Sequence, residues 1–437
     1  MKKQLIRVVA LTGLAGLVLS GCSSQTADGG AGSSSDISGE LTMLTPLFAS
    51  DSAKEAFDES LAGFREQYPE VTLTVDYTDY GKLGEKITSG LAGGLLPDIV
   101  QIGVGWIPPL ASKGVLAPLN ELGFTPEALE ADFPEAAVQA SQWDGNVYAV
   151  PFVTQGLIGV YNKAAFEAAG LDPEAPPSTW DELRDAAVMT TERDGGGSLT
   201  QAGFTAVTDN LRQNFTGFLA AQGGSQFNDD GTKATFNSAE GVDALEFLDS
   251  LVNDDKVVDV GFESGAPQHP IVSGKAAMAL YGAYLPCDDP EIITPEICEQ
   301  LGYFAIPGET TSDPGSVVLG GTLSSITTGA KNPEAAAALV KYMTENPEVA
   351  FSTTASTYTF PSTMSSWTDP RVADNAASAA FIALIDDAAF EGGPTTWLDT
   401  RNDFGPALES VIVGGADAQS ALDDLAAKAD AAIAAAE

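Results

Sequence analysis

Apolar and polar positions alternate through "GELTMLTPL" from Gly39, and the alternation stops at Pro46, which predicts a first β-strand. A helical period follows at once. Phe57, Leu61 and Phe64 fall on one face of "DSAKEAFDESLAGFREQYPE", and Pro69 ends the run. "VTLTVDYT" is strand-like again. "YGKLGEKITSGLAGGLLPDIVQIG" reads as a helix and then, after Pro97, as a buried strand. Strand and helix in alternation predict α/β layers with much parallel sheet. A second run of the same kind begins at "GNVYAVPFVTQGLIGVYNKAAFEAAG". "TWDELRDAAVMTTERDG" predicts a helix capped by Thr179, with Glu182 at the matching position of a capping box. The last third is Ala-rich helix, in "NPEAAAALVKYMTENPEVAF" and "SALDDLAAKADAAIAAAE". No repeat of fixed period occurs.

The first residues follow another pattern. Lys2, Lys3 and Arg7 precede a mostly apolar run from Val8 to Gly21, shorter than the ~20 residues of a membrane-spanning helix. This predicts an export signal over residues 1–21. "LSGC", Leu19 to Cys22, resembles the lipobox of bacterial lipoproteins. That resemblance implies a diacylglyceryl group on Cys22 and cleavage before it; an ordinary signal peptide with a chance cysteine is the alternative. Residues 22–39 are rich in Gly and Ser and read as a flexible linker. Two lipid chains or more anchor stably, so the expected location is the outer face of the cytoplasmic membrane.

Composition narrows the classes. The chain has 437 residues, a length that suits two domains, and 44% of them are apolar, enough for a sizeable core. Sixty-one Asp and Glu against 20 Lys and Arg give a formal charge of −41. Such a surface repels itself and repels phosphate backbones, which argues against a nucleic-acid partner. The single histidine, His269, excludes a zinc site built of several imidazoles, and in "GAPQHPIVSGKAAM" it reads as a loop or helix-entry residue. Cys287 and Cys298 are the pair left over in an exported chain, which predicts a structural disulfide; free thiols are the alternative. The signatures GxSxG, HExxH, SxxK, a phosphate loop and an EF-hand loop are missing. No metal, cofactor or catalytic residue is expected. With so many acids, a polysaccharide-cleaving carboxylate pair stays open as an alternative, as does a structural or adhesive surface lipoprotein.

"FREQYPEVTLTVDY", "ITSGLAGGLLPDIVQI", "WDGNVYAVPFVTQGLIGVYNKAAFEAAGL", "PPSTWDELRDAA", "GGSQFNDDGTKATFNSAEGVDALEFLDSLV", "VSGKAAMALYGAYL", "YFAIPGE" and "NPEAAAALVKYMTENPE" occur in turn. In that order they resemble the family 1 extracellular solute-binding proteins, maltose-binding-protein-like sugar-binding lipoproteins of ABC importers. The likeness covers nearly all of Glu40 to Glu437. It implies a two-lobed, periplasmic-binding-protein-like α/β fold of type II, with a hinge and an interlobe ligand cleft. Lobe 1 would be residues 40–152 with 305–355, and lobe 2 residues 153–304 with 356–437. "AVPFVTQ" and "GYFAIPGE" would be the crossovers. The implied function is capture of a mono- or oligosaccharide by hinge closure and delivery to the importer's membrane subunits, by a monomer. Another polar solute, such as a polyol or glycerol phosphate, is the alternative cargo.

A pyranose has apolar C–H faces and a rim of hydroxyls, so its site needs aromatic rings beside amides, carboxylates or guanidinium groups. Trp106 in "GVGWIPPL", Phe48 after the first strand and Tyr80 in "YTDYGKL" are candidates for one wall, each with core or surface as the competing reading. Gln155 lies on the expected crossover. By resemblance Arg212 and Gln213 in "DNLRQNF" contact ligand, with a solvated helix face as the alternative. Tyr284 in "MALYGAYL" is the expected stacking residue. Trp397 and Arg401 in "GGPTTWLDTRNDFG" are further candidates, of which only one need point inward. Gly320 and Gly321 resemble paired glycines near the family's cleft; a tight turn accounts for them equally well.

Overall fold

The computed structural model describes residues 37–436 apart from 206, 208–209, 263–267, 288 and 290–291. The expected export signal, the lipid site at Cys22 and residues 22–36 of the linker lie outside them. The elements that position the site begin with β1 (Gly39–Thr45), α1 (Asp51–Ser60), α2 (Ala62–Gln67), β2 (Val71–Tyr77), α3 (Tyr80–Gly93) and β3 (Ile99–Gly103). A long strand, β4 (Val150–Asn162), leads to α4 (Trp180–Thr190), β5 (Leu199–Phe204), α5 (Leu211–Ala221), α6 (Ala239–Asn253), β6 (Ala276–Gly282) and β7 (Leu301–Phe304). The chain returns through β8 (Val318–Ile326) to α7 (Pro333–Glu345) and α8 (Pro347–Thr357), and finishes in α9 (Trp397–Ile412) and α10 (Ala418–Ala436).

One sheet runs through the molecule in the order β2-β1-β3-β8-β4-β6-β5, with a two-residue strand at its far edge and β7 paired to β4. Either side of its middle it is parallel, as the alternation of strand and helix predicts: Met43 of β1 lies opposite Val75 and Ile99, and Ala202 of β5 opposite Ala276, while the two-residue edge strand runs antiparallel to β5. Its middle is not parallel. β8 runs antiparallel to both β3 and β4, and β4 antiparallel to β6. β4 is long enough to serve two neighbourhoods. Its first half pairs with β8 and its second with β6 and β7.

Helices cover the sheet and divide the core. Leu41 and Met43 meet Phe57, Phe64, Leu339 and Met343, so α7 and α8 close the first half. Trp180, Phe218 and Phe247 meet Phe204, and the C-terminal helices add Trp397, Phe404, Leu422 and Leu425. Each fully buried side chain of this size contributes about 1.5–3 kcal/mol relative to exposure.

Local expectations need small corrections. The helix expected from Phe57 to Phe64 is broken at Leu61. The Ser60 carbonyl accepts from the Tyr342 hydroxyl at 3.1 Å instead of from its own helix. At α4, Thr179 Oγ1 accepts from Glu182 N at 3.3 Å, but the Glu182 carboxylate takes the N–H of Ser178, at 2.8 Å, one residue before the cap. Cys287 and Cys298 are joined as a disulfide, their Cα atoms 5.9 Å apart, within the usual range. His269 lies outside the cleft lining, its ring stacked on Tyr281 at 4.5 Å.

Candidate ligand-binding cleft

A cavity of about 310 Å³ lies where the middle strands meet loops from both halves. Its floor is Gln155 to Leu157 of β4 and Val318 to Gly321 of β8, which pair Gln155 with Gly320 and Thr154 with Gly321. Gln155 is exposed, and its Nε2 donates to the Thr357 carbonyl only at 3.4 Å. Gly321 is not in a turn. It sits within β8 at φ 139°, and a Cβ there would stand 2.3 Å from the Val153 carbonyl oxygen. Both facts require glycine at that point.

One wall follows β3. Tyr80, at the start of α3, is 42% exposed toward the opening, while its hydroxyl shares a 2.6 Å hydrogen bond with Thr322 Oγ1. Burial of that end pushes the phenol up to about 12, against the smaller opposing pull of the Thr322 bond and the Arg401 cation. The Trp106 ring lies 6.5 Å from it, inclined at 66°. Trp106 is largely buried yet lines the cavity.

The opposite wall holds the charges. Arg212 in the first turn of α5 donates Nε and Nη2 to the Glu391 carboxylate at 2.5 and 2.9 Å, a two-pronged pair in which both side chains are mostly buried. Gln213 lines the cavity beside it. Arg401, on α9, faces Trp106 across the cleft with its guanidinium carbon 5.7 Å from the ring. Its Nε is buried with no hydrogen-bond partner. Burial, then the nearby Arg212 cation, holds its pKa below the usual arginine value. Tyr284 is 6% exposed and closes the far end with Tyr281.

The structure therefore brings Tyr80, Trp106, Gln155, Arg212, Gln213, Tyr284, Gly321 and Arg401 around one cavity. Two sequence candidates are elsewhere. Phe48 is fully buried and stacks on Phe57 at 4.1 Å, so it is core. Trp397 is also core, between Phe227 and Phe404, and reaches the site only as the ring 6.0 Å beneath the Arg212 guanidinium. The sequence reading missed Asn210, Tyr281, Tyr358 and Glu391, which also line the cavity. Asn210 and Tyr358 are non-glycine residues at φ 52° and 51°; left-handed backbone is tolerable in Asn and strained in Tyr, and such strain gathers at functional sites. Of the four, Tyr281 had a signal, as the neighbouring aromatic in "LYGAY".

The two walls touch above the cavity. A Cβ on Gly105 would lie 2.3 Å from the Glu391 carbonyl oxygen, and one on Gly392 would lie 2.9 Å from Gly105 Cα. Lys113 and Asp399 add an exposed ion pair at 3.8 Å. Among the described residues, no group of three or more His, Cys, Asp or Glu is arranged to hold a metal ion. No helix among them is long and apolar enough to cross a membrane.

A two-lobed α/β body with a mixed aromatic and polar cleft between strands shared by both lobes is a solute-binding architecture. The chain belongs to the bacterial extracellular solute-binding protein family, whose model matches residues 50–350. A putative binding protein of Brucella abortus is 26% identical over 405 residues, 91% of this chain and 94% of that one. The diacetylchitobiose-binding protein DasA of Streptomyces coelicolor is 26% identical over 343 residues, 77% of each chain. The sugar-binding protein MalE of Xanthomonas citri shares the fold, with a TM-score of 0.76 at 21% identity over 91% of this chain and 98% of that one.

Proposed function

We propose that this protein captures a mono- or oligosaccharide in the cleft by hinge closure and delivers it to the membrane subunits of an ABC importer, as a monomer tethered through lipidated Cys22. The observation that carries the reading is the composition of the cavity. Tyr80, Trp106 and Tyr284 offer ring faces or edges, and Gln155, Gln213 and Arg401 offer hydrogen-bonding groups to the same space. That mixture suits a ring with apolar faces and a polar rim. The lobes are residues 40–152 with 305–355 and 153–304 with 356–437, joined at the crossovers "AVPFVTQ" and "GYFAIPGE". Part of the buried core supports this, since Leu41, Met43, Ile99 and Phe152 share a cluster with Ile326, Leu339 and Ala350, while Ile306 and Val318 pack with Phe204 and Phe218 on the other side. A ligand that touches both walls favours the closed form. With family members serving as solute-binding proteins, the protein acts by binding rather than by turnover.

A melting screen against mono-, di- and trisaccharides, with polyols and amino acids as controls, tests the reading. Ligand at 100 times its dissociation constant adds ~2.7 kcal/mol, which a melting curve resolves. The expected result is a selective rise with one carbohydrate. A rise confined to a control solute overturns the carbohydrate assignment.

A further inference from the structure

The cleft holds more positive charge than a neutral sugar uses. Its charged lining among the described residues is Arg212, Glu391 and Arg401. Glu391 is already held by Arg212 through both carboxylate oxygens. Arg401 has no ion pair among the described residues, and its Nε is both buried and unpartnered. This happens in a chain with 61 acidic residues, where most cations have a carboxylate beside them.

We infer that the cargo carries one carboxylate, as a uronic acid does, and that this carboxylate meets the Arg401 guanidinium; the inference rests on the carbohydrate reading above and narrows it. An arginine cannot shed its proton inside a protein. Arg401 is partly buried, and a cation drawn even partly out of water is costly unless it is paired. Sugar hydroxyls can accept from its N–H groups, but they leave the charge in place. A carboxylate satisfies both, in the planar geometry that the guanidinium fork fits. The charge count also selects among anions. One uncompensated cation matches one carboxylate, whereas a phosphate monoester brings ~1.5–2 negative charges at neutral pH.

Two further features favour the same ligand. The N-terminus of α5, an eleven-residue helix, opens onto the cavity at Asn210, Arg212 and Gln213, and a helix N-terminus carries about half a positive charge. The Arg401 guanidinium carbon lies 5.7 Å from the centre of the Trp106 ring, a contact that contributes about 0.5–2 kcal/mol of attraction without neutralising the charge. Tyr80, beside Trp106, then borders the space for the ring of the sugar.

The test is calorimetric titration of the purified protein with glucuronate and galacturonate, with glucose and galactose as their neutral parents, and with disaccharides containing one such residue. sn-Glycerol 3-phosphate is the phosphate arm. A uronate should bind about 10- to 100-fold more tightly than its neutral parent, the worth of a hydrogen bond to a charged group. Arg401→Gln should bring that ratio to about one, and Arg401→Lys should keep part of it. The lysine variant keeps the charge should the glutamine variant fold poorly. A neutral sugar that binds as tightly as its acid overturns this inference and leaves the carbohydrate reading standing, as does a ratio that survives in Arg401→Gln. Binding of glycerol phosphate alone, or silence across the panel, overturns both.

Discussion

The pair of Arg212 and Glu391 shows how one residue sets the chemistry of its neighbours. Glu391→Gln leaves the Arg212 charge unmatched and sets it against the Arg401 charge on the same wall. Loss of one partner from a mostly buried pair costs about 2–4 kcal/mol, so a urea melt of this variant should shift by that amount; an unchanged midpoint would show the pair to be idle. Tyr80 gives a test in pH. Its phenol is raised from 10.0 to about 12 by burial, so the folded state keeps the proton that the unfolded state has lost. The stabilising effect is complete below pH 10 and disappears as pH rises through 12. Titrating phenolate absorbance of the wild type against Tyr80→Phe should reveal one tyrosine ionising near 12, and a difference centred near 10 would contradict the buried hydroxyl. Trp106 and Phe48 mark the limit of what single residues disclose. Both follow a strand, and only the neighbouring helix decides the outcome, since Phe57 covers Phe48. Trp397 and Arg401 lie one helical turn apart, and packing sends the ring inward and leaves the cation at the cleft. Glu391 carries no local signal because its partner is 179 residues away.

At the level of elements, periodicity made β1, α1, β2 and α3 legible, because each buries one face over a short stretch of chain, and β3 was legible as a short apolar run after Pro97, buried on both faces. The antiparallel middle of the sheet was not legible. Pairing between β4 and β8 joins distant segments, and neither segment encodes the other's direction. Gly321 is where that pairing is most exacting. Gly321→Ala combines a φ of 139° with a contact of 2.3 Å to the Val153 carbonyl, so it should cost about 3 kcal/mol or more and loosen the cleft floor. A wild-type unfolding midpoint in that variant would contradict the register. The disulfide is a separate device. Cys287→Ser with Cys298→Ser should lower stability by ~2–3 kcal/mol, the closure entropy of a loop of this size.

For the whole molecule, a charge of −41 is a repulsion spread over both lobes. Salt screens it over about 10 Å at 0.1 M, so the melting temperature should rise as salt is added at constant pH, and a fall would assign greater weight to the surface ion pairs. The order of the strands has a consequence for how the chain comes into being. β3 takes one neighbour from β1, already made, and its other from β8, roughly 200 residues downstream. On a ribosome adding 5–20 residues per second, that edge waits about 10–40 s for its partner. Until residues 318–326 are available, β3 keeps one unpaired edge, so the N-terminal part of the chain cannot complete the sheet by itself.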